Sequence, residues 1–222
     1  MDNNKKIYFS NRNVNIAESD YRNRKILGEI EVKNFNFLIN KFYSTEINEK
    51  RILDLGAGDK FLKNPFENYG CKYESLDIEE LNFEIETFPF EDNSFDFIIC
   101  LAVIEHLNSH YHFLQECKRV LKKDGLIFLS TPNWKYDYNN FYNDYTHVRP
   151  FTPKSLKDIL YHNQFKNIYI LPGLRNKPLW MYKFFFRFFL AKIIPFKGNT
   201  RFVPNFLKGK ATSLFALAKN SK

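Results

Sequence analysis

Apolar residues at Ile26, Ile30, Phe35, Leu38, Ile39 and Phe42, mostly three to five positions apart, predict an amphipathic helix over residues 25–43. An apolar run at 51–55 then stops at Gly56-Ala57-Gly58, the pattern of a buried strand entering a tight turn. Further runs at 73–77, 95–101, 126–130, 167–171 and 212–218 predict strands, and 82–86 a weaker one. Residues 60–69 suggest a short helix broken at Pro65. Residues 111–122 form a helix with Phe113, Leu114, Cys117, Val120 and Leu121 on one face, stopped by Gly125. Thr152 as cap and Pro153 at the first helical position open another helix, running to about His162. Seven strands alternating with helices predict an α/β protein with a doubly wound, mostly parallel sheet. Residues 134–151 lack a helical period, 1–24 are polar, and 172–209 form an insertion between the last two strands. With 222 residues the chain reads as a single domain, 1–222.

The first strand, its glycine turn and the second strand carry the chemistry. Nineteen residues past Gly58, the second strand ends in Asp77. Strand, glycine loop, helix, strand and acid is how a doubly wound sheet builds a nucleoside site at the carboxyl ends of its strands. Asp77 is placed to accept hydrogen bonds from both ribose hydroxyls. A dinucleotide would need a third glycine for its pyrophosphate turn, and that position is Phe61. Asp54 and Asp59 flank the turn and repel a pyrophosphate. They suit a ligand with a sulfonium and an ammonium, which favours S-adenosylmethionine over a nicotinamide dinucleotide.

Asp54-Leu55-Gly56-Ala57-Gly58 resembles the first motif of class I S-adenosylmethionine-dependent methyltransferases. Four more blocks follow in family order: the run from Phe88 to Asp96, Ile104-Glu105-His106-Leu107, the run from Arg119 to Gly125, and Ser130-Thr131-Pro132-Asn133. The departures are Lys60, where many members carry glycine, and Asp124, where proline or glycine is usual; local packing changes are expected there, without loss of cofactor. The resemblance implies a Rossmann-like seven-stranded sheet whose last strand runs antiparallel between the fifth and sixth. It implies cofactor contacts from Asp54, Gly56, Ala57, Gly58, Asp77, Ile78 and Leu101. Glu84, five residues before Pro89, corresponds to the residue reaching the adenine amino group, with Ile85 beside the ring. The product would be S-adenosylhomocysteine.

The acceptor side is read from Asp144-Tyr145-Thr146-His147-Val148-Arg149-Pro150-Phe151-Thr152, which resembles methyltransferases of glycan and cell-surface polysaccharide biosynthesis. The run places a carboxylate, an imidazole and a guanidinium on one loop. His147 is the candidate base for a sugar hydroxyl, Asp144 its orienting partner, and His106 a further catalytic candidate. Tyr145 and Arg149 are candidate acceptor contacts, Arg149 gripping a phosphate or carboxylate bidentately. The expected acceptor is therefore a sugar or glycan intermediate, nucleotide- or lipid-linked. A small molecule, a lipid or quinone, or RNA is the alternative, and a non-catalytic cofactor-binding scaffold the weaker one. His110, His112 and His162 read as surface or packing residues. No His, Cys or carboxylate set has metal-ligand spacing, so no metal is expected.

Composition refines this picture. The chain is 44% hydrophobic and 26% charged, as in soluble globular proteins, with an unusual 25 Phe. Cys71, Cys100 and Cys117 are scattered, which fits buried thiols in a reducing cytosol. The first thirty residues hold no apolar stretch of the secretory kind, so a cytoplasmic location is expected. Net charge is +8, but the lysines are spread along the chain and nucleic acid is not the expected partner. Residues 179–194 alternate Phe-rich stretches with Lys183, Arg187 and Lys192. They are too short and too charged to span a bilayer, and suit packing on protein, an oligomeric contact or peripheral membrane attachment.

Overall fold

The computed structural model describes residues 18–173, 196–197 and 208–222. The run at 179–194 lies outside the described residues. Helix α1 (Glu18–Tyr43) precedes β1 (Arg51–Leu55), the short α2 (Lys63–Glu67), β2 (Lys72–Leu76), β3 (Phe95–Leu101) and a 3-10 turn (Ile104–His106). Then come α3 (Tyr111–Val120), β4 (Leu121–Pro132), α4 (Trp134–Phe141), α5 (Pro153–His162) and β5 (Phe165–Pro172). Two short strands, β6 (Phe196–Lys197) and β7 (Lys208–Lys210), pair with each other, and β8 (Ser213–Asn220) closes the chain.

The main sheet has the order β2-β1-β3-β4-β8-β5. Its first four strands are parallel, and β8 runs antiparallel between β4 and β5. Parallel strands are covered on both faces, which is why they read as near-continuous apolar runs. Ile52, Phe97, Ile99 and Phe128 point to a layer with Phe35, Leu38 and Ile39 of α1. Leu53, Leu55, Ile98 and Cys100 point to the opposite layer, with Leu114 and Cys117 of α3 and Leu156 and Leu160 of α5. The period-two alternation of each strand thus feeds two separate apolar layers.

Three expectations are corrected. The sheet has six strands, not seven, because 82–86 is a turn. Asn82 Oδ1 accepts from the Glu84 amide (3.1 Å), and the Asn82 carbonyl accepts from the amides of Ile85 (3.2 Å) and Glu86 (2.9 Å). An Asx turn uses the donors a strand ladder would need, and Phe83 buries itself between Phe88 and Phe113. Second, residues 134–141 are helical. Trp134, Tyr138, Phe141 and Tyr142 recur at helical spacing, and Asn133 caps the first turn by accepting from the Lys135 amide. Third, α1 begins at Glu18 and so extends through a stretch that composition marks as merely polar.

Two of the family-like blocks have a structural purpose. Arg119 donates to the carbonyls of Phe88 (2.9 Å) and Phe90 (2.8 Å), to Asp92 (2.7 Å) and to Glu116, clamping the Phe88–Asp96 run onto α3. Lys60 (φ 56°) and Asp124 (φ 63°) both adopt left-handed backbone, the conformation glycine takes without a side-chain penalty. The departures at these two positions therefore fall on backbone that favours glycine.

Candidate active site

A cleft of about 270 Å³ opens at the carboxyl ends of β1, β2 and β3, lined by Gly56–Asp59 and by Asp77, Ile78, Leu101 and His106, among others. Gly56 turns with φ 74°, and a Cβ there would meet Val103 Cγ2 at 2.2 Å, so the backbone can hug the cleft floor only as glycine. Asp77 accepts from the Gly58 amide (2.6 Å) through Oδ2 and from the Ile78 amide (2.6 Å) through Oδ1. These bonds aim the carboxylate and leave each oxygen a second lone pair for a ligand.

Asp54 lies at the cleft base, 2% exposed, and accepts from the Tyr73 hydroxyl at 2.6 Å. Burial, opposed by that bond and reinforced by Asp77 and Asp59, pushes its carboxyl up to about 7. Asp59 pairs with Arg24 Nη1 at 2.5 Å. Arg24 comes from α1, which approaches so closely that a Cβ on Gly28 would meet the Phe61 carbonyl oxygen at 2.4 Å. Three carboxylates, Asp54, Asp59 and Asp77, thus share the cleft with one guanidinium among the described lining residues. This donor set fits a ligand with a ribose and a cationic sulfonium and ammonium end.

Asp54, Gly56, Ala57, Gly58, Asp77, Ile78 and Leu101 all lie on this cleft. Glu84 and Ile85 do not line it. Glu84 instead accepts from Asn108 Nδ2 and the Ser109 amide (both 3.2 Å), and Ile85 is 72% exposed. Sequence reasoning missed Arg24 and Leu27, which reach the cleft from α1. No local pattern marks them; the one signal is Gly28 inside a helical run.

The acceptor loop meets the cleft at His106. The amides of Val148 and Arg149 both donate to the Glu105 carbonyl at 3.0 Å, pinning the loop to the 3-10 turn. Between these anchors, fully buried Thr146 donates to Asp144 Oδ1 (2.5 Å) and faces His106 Nδ1 at 2.9 Å. Burial raises the Asp144 carboxyl, but the two Thr146 bonds, with His147 and His106 adding, hold it below the usual carboxylate range. His147 Nδ1 lies 2.6 Å from the Phe141 carbonyl oxygen, and its ring centroid is 4.7 Å from that of His106. The structure thus brings Asp144, His106 and His147 together. Tyr145 is exposed, and Arg149 donates to the Asn108 carbonyl at 2.8 Å. One donor atom from each of Glu105, His106 and His147 falls within 4.8 Å of the others, a set hidden in sequence by its separation. His110 packs on Phe151 and bonds the Ile104 carbonyl oxygen, as a packing residue does.

A family model described as a methyltransferase domain matches residues 30–170. A ubiquinone biosynthesis O-methyltransferase of Glaesserella parasuis is 25% identical over 140 residues, covering 52% of this chain and 57% of that protein. One of the same name from Pelagibacter ubique is 27% identical, covering 37% and 42%. These matches span about half the length of the curated relatives. A crystal structure of an S-adenosylmethionine-dependent methyltransferase from Archaeoglobus fulgidus superposes with a TM-score of 0.56 at 18% identity, covering 84% of this chain and 93% of the other. That likeness concerns the fold. With motif, cleft and family model in agreement, the chain belongs to the class I S-adenosylmethionine-dependent methyltransferase family.

Proposed function

We propose that the protein methylates a hydroxyl of a small ring acceptor, of the phenolic kind that leads to quinones. Asp77 would hold the ribose, the Gly56–Gly58 backbone would pass close to the ligand, and Asp54 and Asp59 would face its cationic end. S-adenosylmethionine supplies a methyl group on a sulfonium that leaves as neutral S-adenosylhomocysteine. The chain then has two tasks, aligning the acceptor oxygen and removing its proton.

The observation that carries this reading is the Asp144–Thr146–His106 chain with His147 against it, at the cleft edge. The Phe141 carbonyl accepts a hydrogen bond from His147 Nδ1–H, which puts the Nε2 lone pair on the ring edge that faces Asp144 Oδ2, 4.0 Å away. Magnitudes favour a phenol. Moving a proton from a phenol (pKa about 10) to an ordinary imidazole (about 6.5) is uphill by roughly 5 kcal/mol. From an alkyl hydroxyl, a far weaker acid than a phenol, the same transfer is much further uphill. The names of the two ubiquinone biosynthesis O-methyltransferases support the same acceptor class. The sugar acceptor suggested by the 144–152 run therefore yields to the quinone-type alternative. The Phe-rich run at 179–194 is consistent with approach to a membrane-dissolved acceptor. No helix among the described residues is long and apolar enough to cross a membrane.

The test is radiolabelled methyl transfer from S-adenosylmethionine to a panel of catechols, sugar nucleotides and lipid-linked saccharides. Label in the catechol is the expected result. Label in saccharide alone restores the glycan acceptor, and cofactor binding with transfer to none of the panel favours a scaffold.

A further inference from the structure

We propose that Tyr73 is a positioning residue of the cofactor site. Its hydroxyl holds one oxygen of Asp54, keeps that carboxylate charged towards the cationic end of the ligand, and so sets the pH range over which cofactor binds. This role rests on the proposed placement of that cationic end at Asp54, and the acceptor plays no part in it.

The three acids of the cleft are held by different means. Asp77 accepts from two backbone amides, and Asp59 is paired with the Arg24 guanidinium. Among the described residues Asp54 has a single side-chain partner, the Tyr73 hydroxyl, 2.6 Å from Oδ2. Oδ1 is left for the cleft that the residue lines. The sheet sets up this contact. Tyr73 is paired with Ile52 and Asp54 with Ser75, so the tyrosine reaches one pair diagonally along the two strands, within range of a long side chain. Its ring lies against Phe66 of α2, with centroids 6.3 Å apart and planes 27° from parallel, which fixes where the hydroxyl points. Strand β2 thereby serves both ends of the cleft, through Tyr73 and through Asp77 just past its last residue.

Charge explains why one hydroxyl matters here. Burial disfavours the Asp54 anion most, and Asp77 and Asp59 add repulsion; the Tyr73 bond opposes them, leaving the carboxyl at about 7. The remaining neighbours do not offset this. Arg24 is engaged with Asp59, and His106 lines the cleft from the 3-10 turn. On β3, burial keeps the Cys100 thiol neutral, with Cys117, Glu105 and Asp54 adding. Burial and Asp54 likewise hold the Tyr73 phenol well above its usual range, so it keeps its proton and stays a donor. A donor that favours the charged form therefore governs whether Asp54 is an anion near neutral pH.

The test measures S-adenosylhomocysteine affinity of the full chain by calorimetry between pH 5.5 and 8.5. Wild-type affinity should rise about tenfold per pH unit below the Asp54 titration and level off above it. Tyr73→Phe keeps the ring on Phe66 and removes only the donor. Its break should move up by about one to two pH units, the worth of one hydrogen bond to a charged group. The ratio of the two affinities cancels the ligand's own titration; it should be about ten- to hundredfold at pH 6 and shrink as pH rises. In an Asp54→Asn background the same substitution should change affinity by less than about twofold. A pH-independent ratio, as lost packing alone would give, or an equal loss in the Asp54→Asn background overturns the role of Tyr73 and leaves Asp54 in place. Wild-type affinity in Asp54→Asn at pH 8 removes the cationic end from Asp54, and the role of Tyr73 with it. Should Tyr73→Phe not fold, 3-fluorotyrosine introduced at this position alone, a stronger donor of nearly the same shape, takes its place. The break should then move down, and an unmoved break refutes the proposal.

Discussion

The cofactor cleft takes most of its lining from one continuous stretch, residues 54–78, whereas the acceptor cluster joins Glu105 and His106 to a loop about forty residues later. In the first region, strand, turn and strand follow each other, and neighbouring parallel strands pair Asp54 with Ser75 and Leu55 with Leu76, so that Asp77 follows beside the glycine turn. In the second, a 3-10 turn and a loop of little regular structure are held by two backbone bonds to one carbonyl and by one buried threonine. A site made from adjacent elements is stable by virtue of the sheet. A site made across the fold depends on a few polar contacts, so damage to each region should register differently.

The largest separation between them is expected from His147→Ala. Turnover should fall by about 10²–10⁴-fold, the usual contribution of a positioned acid–base group, while S-adenosylhomocysteine affinity stays within twofold. Calorimetry beside single-turnover kinetics checks this, and a parallel loss of affinity would show that the two regions are one unit.

Asp54 allows a pH test confined to the cofactor side. Its folded carboxyl titrates at about 7, well above its unfolded value near 3.9. The folded state therefore holds this proton more tightly, and its contribution to stability is complete below about pH 4 and lost as pH rises to 7. Between pH 5 and 8 the wild type should lose about 2–3 kcal/mol that Asp54→Asn does not lose, read from urea unfolding. Equal slopes for both proteins would refute the buried, charge-crowded environment assigned to this residue. Asp77→Ala should weaken S-adenosylhomocysteine by about ten- to hundredfold, roughly 1.5–3 kcal/mol, and leave the acceptor loop intact.

What could be read in advance follows the same division. Asp54, Gly56 and Asp77 were legible because their spacing is enforced by neighbouring strands, and β3 was placed to the residue by a run of apolar side chains. Residues 82–86 misled because Phe83 and Ile85 alternate like a strand, while the Asn82 turn that overrides them depends on side-chain hydrogen bonds. Helix α4 was hidden because its apolar face is aromatic and its turns contain asparagine and aspartate, which favour caps and turns. His106 and His147 were both visible as candidates, yet Thr146, which links His106 to Asp144, carries no signal outside the fold. Glu84 fitted a family position, but it accepts from Asn108 and Ser109 and does not line the cleft.

Arg24 marks the limit of the contrast, since it reaches the 54–78 stretch of the cleft from helix α1. Its guanidinium reaches Asp59 across 35 positions and lies 5.7 Å from the centre of the Phe61 ring. With the arginine side chain 39% exposed, solvent screens the pair, and such ion pairs contribute about 0–1 kcal/mol. For a chain of this size that corresponds to at most about 2–4 °C in melting temperature. Arg24→Gln should therefore lower the melting temperature by no more than this, and the difference should shrink as salt is raised towards 1 M, where charges are screened within about 3 Å. A larger, salt-independent loss would mean that α1 is held mainly through packing at Gly28 and Phe61. Gly28→Ala distinguishes the two, because its Cβ would press on the Phe61 carbonyl whatever the ionic strength. If only that variant loosens the cleft, close backbone approach and not charge is what joins the N-terminal helix to the cofactor site.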